Sequence, residues 1–332
     1  MSHPRLLTVL GVGVLIKSMK KLFLIDGNAI IHRAFHALPP FTTSKGQLVN
    51  AVYGFSSMLL NIINAQKPEF LAVSFDRKAP TFRHKEYKEY KATRTKAPDE
   101  LYTQIPLIKK IVEAFSIPIY EIDGFEADDV LGTLAKQASD SNSLADPDSE
   151  VHTYIVTGDM DTLQLVSKSV SVFAPQNGFK EALIYDPTKV IAKYGLSPNQ
   201  VIDYKALKGD SSDNIPGVPG IGDKTATTLL QKYKTLDAIY ENLDEITGAV
   251  HTKLSDNKDI AYKSQYLATI VLDVPMTLDF EQCKTHKFEE AKVVAAFEEL
   301  EFTSLLKKLQ RFNSHYKSKA DEEKLNSQQS LF

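Results

Sequence analysis

The sequence predicts an α/β fold: a mostly parallel central sheet flanked by helices, followed by a helical C-terminal region. Three observations predict it. Short apolar runs of β character alternate with helical-period stretches as far as residue 197. Strand signals stop at Pro198, and helical periodicity takes over to about Leu309. Acidic residues recur where the apolar runs end. Alternation of this kind marks parallel sheets, because a parallel partner strand needs a crossover long enough to hold a helix.

In chain order, Lys21 to Ile25 is an apolar strand ended by the turn Asp26-Gly27-Asn28. Ala29 to Leu38 and Val52 to Ile63 carry apolar residues at helical spacing, and Phe70 to Phe75 is a second strand stopped by Asp76. After a charged segment come a helix over Ile105 to Phe115 and a strand over Ile117 to Ile122. Gly124-Phe125-Glu126-Ala127-Asp128-Asp129 then opens a helix to about Ala138, with acids in the first turn where the helix dipole favours them. Asp140 to Glu150 reads as a polar loop and Val151 to Val156 as a strand whose exit is Thr157-Gly158-Asp159-Met160-Asp161. Val170 to Ala174 and Leu183 to Tyr185 read as a further strand and a hairpin arm.

With 332 residues, 43% of them hydrophobic, the chain can bury a sizeable core. The net charge of -3 carries no polybasic signature, so any nucleic-acid binding must come from local patches. One cysteine, Cys283, excludes an internal disulfide and a cysteine-rich zinc site and fits a reducing cytoplasm. Leu6 to Ile16 is apolar but too short to span a bilayer, and no small-x-small cleavage site follows it. Met19-Lys20-Lys21 leads straight into the first strand, so Met19 is read as the start and residues 1–18 as an upstream-start extension. Residues 19–197 are then the α/β core and 198–312 a helical subdomain. Residues 313–332 are polar, without periodicity until the last two, and read as a disordered tail.

Asp26, Asp76 and Asp159 all fall at the carboxyl ends of strands, where open α/β sheets place their sites, and Glu126 lies just beyond another. With Asp128, Asp129, Asp161, Asp210 and Asp213 they form a set of sequence-distant acids that the fold would gather. Packed carboxylates repel and raise one another's pKa unless cations neutralise them. Oxygen donors without His or Cys point to Mg²⁺ or Mn²⁺ rather than zinc. Any one of these acids could be a helix cap or a loop charge; repetition at strand ends carries the metal reading.

Between Asp76 and Asp99 lie Arg77, Lys78, Arg83, His84, Lys85, Lys88, Lys91, Arg94 and Lys96, with Phe82, Tyr87 and Tyr90 interleaved. Cations that track phosphates and rings that stack on bases suit a single strand. The alternative is a solvated helix face with Glu86 and Glu89 in local pairs. Adjacency to Asp76 favours DNA. Gly209 to Lys224 adds a glycine-rich hairpin directly after Asp210 and Asp213 and at a helix start, where free backbone N–H groups can hold phosphate. It is not a Walker loop, because Asp223 intrudes before Lys224 and no strand precedes it. His32 and His36 stand four apart but lack a third zinc ligand.

The motifs now resemble a known family. Phe23-Leu24-Ile25-Asp26-Gly27-Asn28, Arg33-Ala34-Phe35-His36, Phe75-Asp76, Phe82-Arg83-His84, Tyr90-Lys91, Gly124 to Asp129, Thr157 to Asp161 and Lys208 to Ala226 resemble the 5′–3′ exonuclease domain of bacterial DNA polymerase I, of the flap endonuclease family. The likeness runs from about Met19 to Leu309. It implies a PIN-like 5′ nuclease core with a helical helix–hairpin–helix C-terminal subdomain, a monomer that removes RNA primers and displaced 5′ flaps of DNA. It implies one metal at Asp26, Asp76, Glu126 and Asp128, and a second at Asp159, Asp161 and Asp210 or Asp213, with Asp129 outside them. It further implies Arg33, Lys91 and Arg94 at the scissile phosphate and a helical arch over about 77–104. DNA contacts would fall at Arg83, Tyr90, Lys205, Gly217, Gly220, Gly222 and Lys224, with K⁺ at the hairpin. A DNA polymerase I continues for hundreds of residues into its polymerase, and this sequence does not, so it is either a stand-alone nuclease or a fragment. Its Gln328-Gln329-Ser330-Leu331-Phe332 resembles a sliding-clamp docking peptide, with Gln328, Leu331 and Phe332 as anchors, and favours a stand-alone nuclease. The competing expectation is a non-catalytic flap-binding protein that recruits the clamp.

Overall fold

The computed structural model describes residues 19–142, 150–176, 181–285 and 288–310. Strand β1 (Lys20–Asp26) is its axis: Leu22, Phe23, Leu24 and Ile25 are all fully buried, as a strand covered on both faces requires. It pairs in parallel with β2 (Phe70–Ser74) on one side and β4 (Val151–Val156) on the other. β2 extends to β3 (Ile119–Tyr120) and β4 to β5 (Val170–Gln176), both in parallel, and β6 (Glu181–Tyr185) closes the edge antiparallel to β5. The order β3-β2-β1-β4-β5-β6 reverses its sense between β1 and β4. A switch of that kind opens a crevice at the carboxyl ends of the two strands.

The first half carries helices α1 (Gly27–Ala37), α2 (Asn50–Gln66), the short α3 (Phe82–Glu86) and α4 (Asp99–Tyr102), α5 (Ile105–Ala114) and α6 (Ala127–Asn142). α1, α2 and α5 bury their apolar stripes with Phe23, Ile25, Leu71 and Val73 of the sheet. α6 covers the opposite face, its Val130, Leu131 and Leu134 against Leu22, Leu24 and Ile155. After α7 (Pro187–Tyr194), helices α8 (Val201–Lys208), α9 (Asp223–Tyr233), α10 (Leu236–Glu241), α11 (Gly248–Asp256) and α12 (Lys258–Ala268) enclose a separate core that includes Leu207, Ile221, Leu230, Ile239 and Leu254.

The structure departs from the sequence expectation in four places. The helical region does not stay one unit: beyond α12 the chain returns to the α/β core. Thr133 and Gln137 of α6 hold the backbone of Val271, Val274, Met276 and Leu278. α13 (Phe280–Cys283) then packs Phe280 on Phe70, with ring centroids 4.9 Å apart, and α14 (Glu290–Glu299) adds Val293 and Phe297 to the first core. Helical periodicity shows that a face is buried, not which partner buries it. β3 is two residues long where Ile117 to Ile122 was expected, because only Ile119 and Tyr120 find ladder partners on β2. α6 continues to Asn142, past the loop expected from Asp140. Residues 77–104, expected as a helical arch, form two short helices and successive turns, with Lys91 at a φ of 57° interrupting any helical path. Among the described residues, no helix is long and apolar enough to cross a membrane.

Candidate metal centre

Asp26 ends β1 and caps α1: one carboxylate oxygen accepts the Ala29 N–H at 2.9 Å, and the other accepts the Thr157 hydroxyl at 2.8 Å. Thr157 follows β4, so this bond spans the switch point. The same Thr157 oxygen accepts the Asp159 N–H at 3.0 Å, and Asp159 in turn accepts the Asp161 N–H at 2.9 Å, starting a 3₁₀ helix over Met160–Leu165. β2 delivers Asp76, which accepts the Ala127 N–H at 2.7 Å, while its own N–H donates to Asn28 at 3.0 Å. Glu126 and Asp128 enter from the start of α6.

These elements bring Asp26, Asp76, Glu126, Asp128 and Asp159 around one cavity of about 370 Å³, together with Asn28, His32, Lys91, Arg94 and Thr95. A second cavity of about 460 Å³ is lined by Asp159, Asp161 and Asp210 with Lys205, Lys208, Tyr194 and Tyr204. Asp159 and Arg94 lie on both. The acids therefore fall into two groups that meet at Asp159. Asp210 is held by two backbone hydrogen bonds of 2.8 Å to Ile215, which close its loop, and by the Ser212 N–H at 2.8 Å.

Burial, with repulsion from Asp76 and Asp159, pushes the Asp26 carboxyl up to about 7. Burial also raises Asp161 to about 7, with Asp159 adding to it. Asp128 is driven well above the ordinary carboxylate range by burial and then by Asp159 and Asp26, and Asp76 is raised chiefly by burial. Asp210 goes the other way: burial would raise it, but the Lys205 ammonium and Ser212 hold it at about 2.

Among the described residues, no three of these side chains converge as a finished ligand cage. Cations sit among them instead. Lys205 pairs with Asp161 and, at 2.5 Å, with Asp210; Lys91 pairs with Glu126 at 2.9 Å; Arg94 pairs with Asp213 at 2.5 Å. The donors still fit a hard divalent ion, being all oxygen, mutually repelling and partly unsatisfied. One oxygen of Asp128 is buried with no hydrogen-bond partner among the described residues.

Several expected site residues stand elsewhere. Arg83, expected on DNA, is 3% exposed. Its guanidinium makes two 2.8 Å bonds to Asp129 and also donates to the Leu267 and Thr269 carbonyls. Asp129 is likewise fully buried, receives the Glu126 and Val271 N–H groups, and faces neither cavity. An Arg–carboxylate pair out of water must find each other, and this one staples α3, α6 and the segment after α12. Tyr90, expected to stack on a base, is buried with its one hydroxyl proton shared between the Glu126 and Asp213 carboxylates, each 3.1 Å away. Asp213 lines neither cavity and anchors Tyr90 and Arg94. Lys205 lies inside the second acid group rather than on a DNA-facing surface. Arg33 is half-buried and lines neither cavity.

In the hairpin, Gly217 is a packing glycine. Its φ is 63°, a Cβ there would meet the Gly209 nitrogen at 2.2 Å, and its N–H already donates to Ser264 at 3.0 Å. Gly220, Gly222 and Lys224 are exposed at the start of α9. The sequence reading left out Thr157, Asn28, Thr95 and Lys208. Thr157 had a signal, since it follows a strand at the predicted site edge, and Asn28 and Lys208 lie in the motifs that carry the resemblance; Thr95 had none. Gln328, Leu331 and Phe332 lie outside the described residues.

The family model for the 5′-3′ exonuclease N-terminal resolvase-like domain matches residues 21–195, and that for the 5′-3′ exonuclease C-terminal SAM fold matches residues 196–291. The DNA polymerase I of Caldicellulosiruptor bescii is 44% identical over 291 residues, which is 87% of this chain and 33% of that protein. The Bacillus subtilis DNA polymerase I is 41% identical over 291 residues, 87% of this chain and 32% of that protein. The chain thus spans about a third of the length of the relatives it matches. Among solved structures, T5 5′-exonuclease with bound zinc superposes with a TM-score of 0.58 at 22% identity, covering 89% of this chain and 99% of that one. The catalytic core of Rad2 in complex with DNA substrate does so with a TM-score of 0.57 at 14% identity, covering 89% and 92%. Both share this fold.

Proposed function

The chain belongs to the 5′-3′ exonuclease family, and from that premise we propose that it is a structure-specific nuclease hydrolysing phosphodiester bonds at 5′ flaps and single-strand/duplex junctions, RNA primers included. The observation that carries this reading is the pair of adjoining acid-lined cavities at the sheet's switch point, meeting at Asp159 and rimmed by Lys91 and Arg94.

Asp26, Asp76, Glu126 and Asp128 would hold one divalent ion and Asp159, Asp161 and Asp210 a second, Mg²⁺ or Mn²⁺. Two such ions, when bound, supply an activated water and stabilise the leaving oxygen of an in-line displacement. The rest is the work of the chain's own groups. Lys91 and Arg94, now paired with Glu126 and Asp213, exchange those partners for the scissile phosphate and offset its growing charge. The exposed N-terminus of α9, with Gly222 and Lys224, grips a duplex phosphate, and the carbonyl oxygens of the Gly217-to-Gly222 hairpin before it would take a K⁺ ion. Backbone contact between Gly209 and Gly217 fixes the distance from that grip to Asp210, and hence where the cut falls. The Gln328–Phe332 peptide docks on a bacterial sliding clamp; deleting it is expected to abolish clamp pull-down and leave cleavage of naked flaps unchanged.

An end-labelled 5′-flap duplex tests the reading. Cleavage with Mg²⁺ or Mn²⁺, and none in EDTA, is expected. Tight flap binding with no metal-dependent cleavage would make the chain a binding protein instead.

A further inference from the structure

Phe82, Phe125, Tyr266, Thr269 and Val271 line a cavity of about 270 Å³ that shares no residue with either acid cavity. Its walls are aromatic. The Phe82 ring lies 6.0 Å from Phe125 and 5.8 Å, edge-on, from Tyr266. The Arg83 guanidinium carbon sits 4.4 Å from the centroid of the Phe82 ring, so the Asp129 staple also fixes one wall of this cavity. Tyr266 is 51% exposed, a large ring left at the mouth of an apolar hollow.

Position and charge say what would fill it. Phe125 immediately precedes Glu126, and Arg83, next to Phe82, lies 3.5 Å from the Glu126 carboxylate. The hollow therefore adjoins the acid centre at the foot of the basic segment. Exposed Lys85 follows Phe82 by three residues on α3, and exposed Lys263, its ammonium 4.6 Å from the Tyr87 ring centroid, precedes Tyr266 by three on α12, so each helix carries a cation within one turn of its ring. Rings that can stack, flanked by cations that can hold phosphate, are the chemistry of single-strand binding. The volume falls just short of the ~300 Å³ at which pockets for drug-sized ligands begin, which suits one ring system and no more.

We propose that this cavity takes one unpaired nucleobase of the single-stranded 5′ arm, stacked on the exposed Tyr266 ring with Phe82 closing the wall beside it, while Lys85 and Lys263 hold the flanking phosphates. The inference rests on the nuclease reading and deepens it: the cavity reports, at a fixed distance from the cut, that the arm is unpaired and carries a base.

The test uses the full chain in EDTA with 5′-armed duplexes carrying 2-aminopurine at successive arm positions. One position is expected to show a fluorescence change that Tyr266→Ala removes and Tyr266→Phe retains. An abasic nucleotide at that position should weaken binding about tenfold in the wild type, within the range for one stacked base, and hardly at all in Tyr266→Ala. Equal affinity for intact and abasic arms at every position would overturn the proposal, as would an equal loss on both arms in Tyr266→Ala. So would Tyr266-dependent dimerisation that arms do not compete away, which would give the cavity to a second copy. Mg²⁺-dependent flap cleavage by the same preparation separates the two readings. Intact cleavage without a base-dependent signal removes the cavity assignment alone, and no flap binding at all removes both.

Discussion

Replacing Asp26 by Asn probes the repulsion built into the acid centre. The carboxyl of Asp26 is pushed from its ordinary 3.8 to about 7, first by burial and then by Asp76 and Asp159. At pH 8, without divalent ions, keeping it ionised costs about 4 kcal/mol relative to the unfolded chain. Asparagine removes that cost, still caps α1 through its carbonyl oxygen, and can turn its amide towards Thr157. Allowing for an imperfect amide fit, about 2–4 kcal/mol of stabilisation remains, which for a chain of this size is a Tm rise of about 3–6 °C. The sign follows from the raised folded pKa of an acid. Wild-type stability in EDTA increases as pH falls from about 7 towards 4, where the folded state holds protons that the unfolded state has released. Calorimetry in EDTA at pH 8 and pH 5.5 should show a higher Tm at the lower pH for the wild type, and a smaller difference for Asp26→Asn. Mg²⁺ at pH 8 should stabilise the wild type and have much less effect on the variant. A lower Tm for Asp26→Asn at pH 8 in EDTA would refute the claim that burial, with the neighbouring acids adding to it, penalises the ionised Asp26 carboxylate.

Arg83→Lys cannot reproduce the fork to Asp129 and leaves the Leu267 and Thr269 carbonyls short of a donor, so urea unfolding should show a loss of about 3 kcal/mol. The salt slope of its flap binding should match that of wild type; a reduced slope would return Arg83 to the DNA interface. Lys91→Ala should lower single-turnover cleavage by about a hundredfold with flap affinity nearly unchanged, and a loss confined to affinity would make Lys91 a binding residue only. A residue inserted between Ser211 and Ser212 lengthens the loop that Asp210 and Ile215 close. Mapping products on a sequencing gel should show the cut shifted or blurred at substrate concentrations where binding is still saturated.

The sheet, its flanking helices and the gathering of Asp26, Asp76, Glu126 and Asp159 were legible because strand ends are set by local pattern, and a parallel sheet puts those ends on one side. The roles of Arg83, Asp129, Tyr90 and Asp213 were not. Sequence shows a charge but not its partner, and Arg83 and Asp129 are 46 residues apart. Composition, adjacency to Asp76 and the resemblance made Arg83 and Tyr90 candidates for nucleic acid, whereas the fold buries both and uses them to join the basic segment to α6 and to the loop of Asp210. Gly217 was readable as special but for another reason: it gives room to the backbone of Gly209 and has already committed its N–H to Ser264. The return of Ile270 to Leu309 to the α/β core was hidden for a similar reason, since an amphipathic stripe does not name the surface it covers.

The central claim is that two acid groups, joined at Asp159, hold the divalent ions that cut a phosphodiester bond. Single-turnover cleavage of a labelled 5′ flap by Asp159→Asn at saturating Mg²⁺ tests it most directly. The account predicts a rate at least about a thousandfold below wild type, with flap affinity in EDTA unchanged. A variant that binds and cuts the flap at the wild-type rate would contradict it.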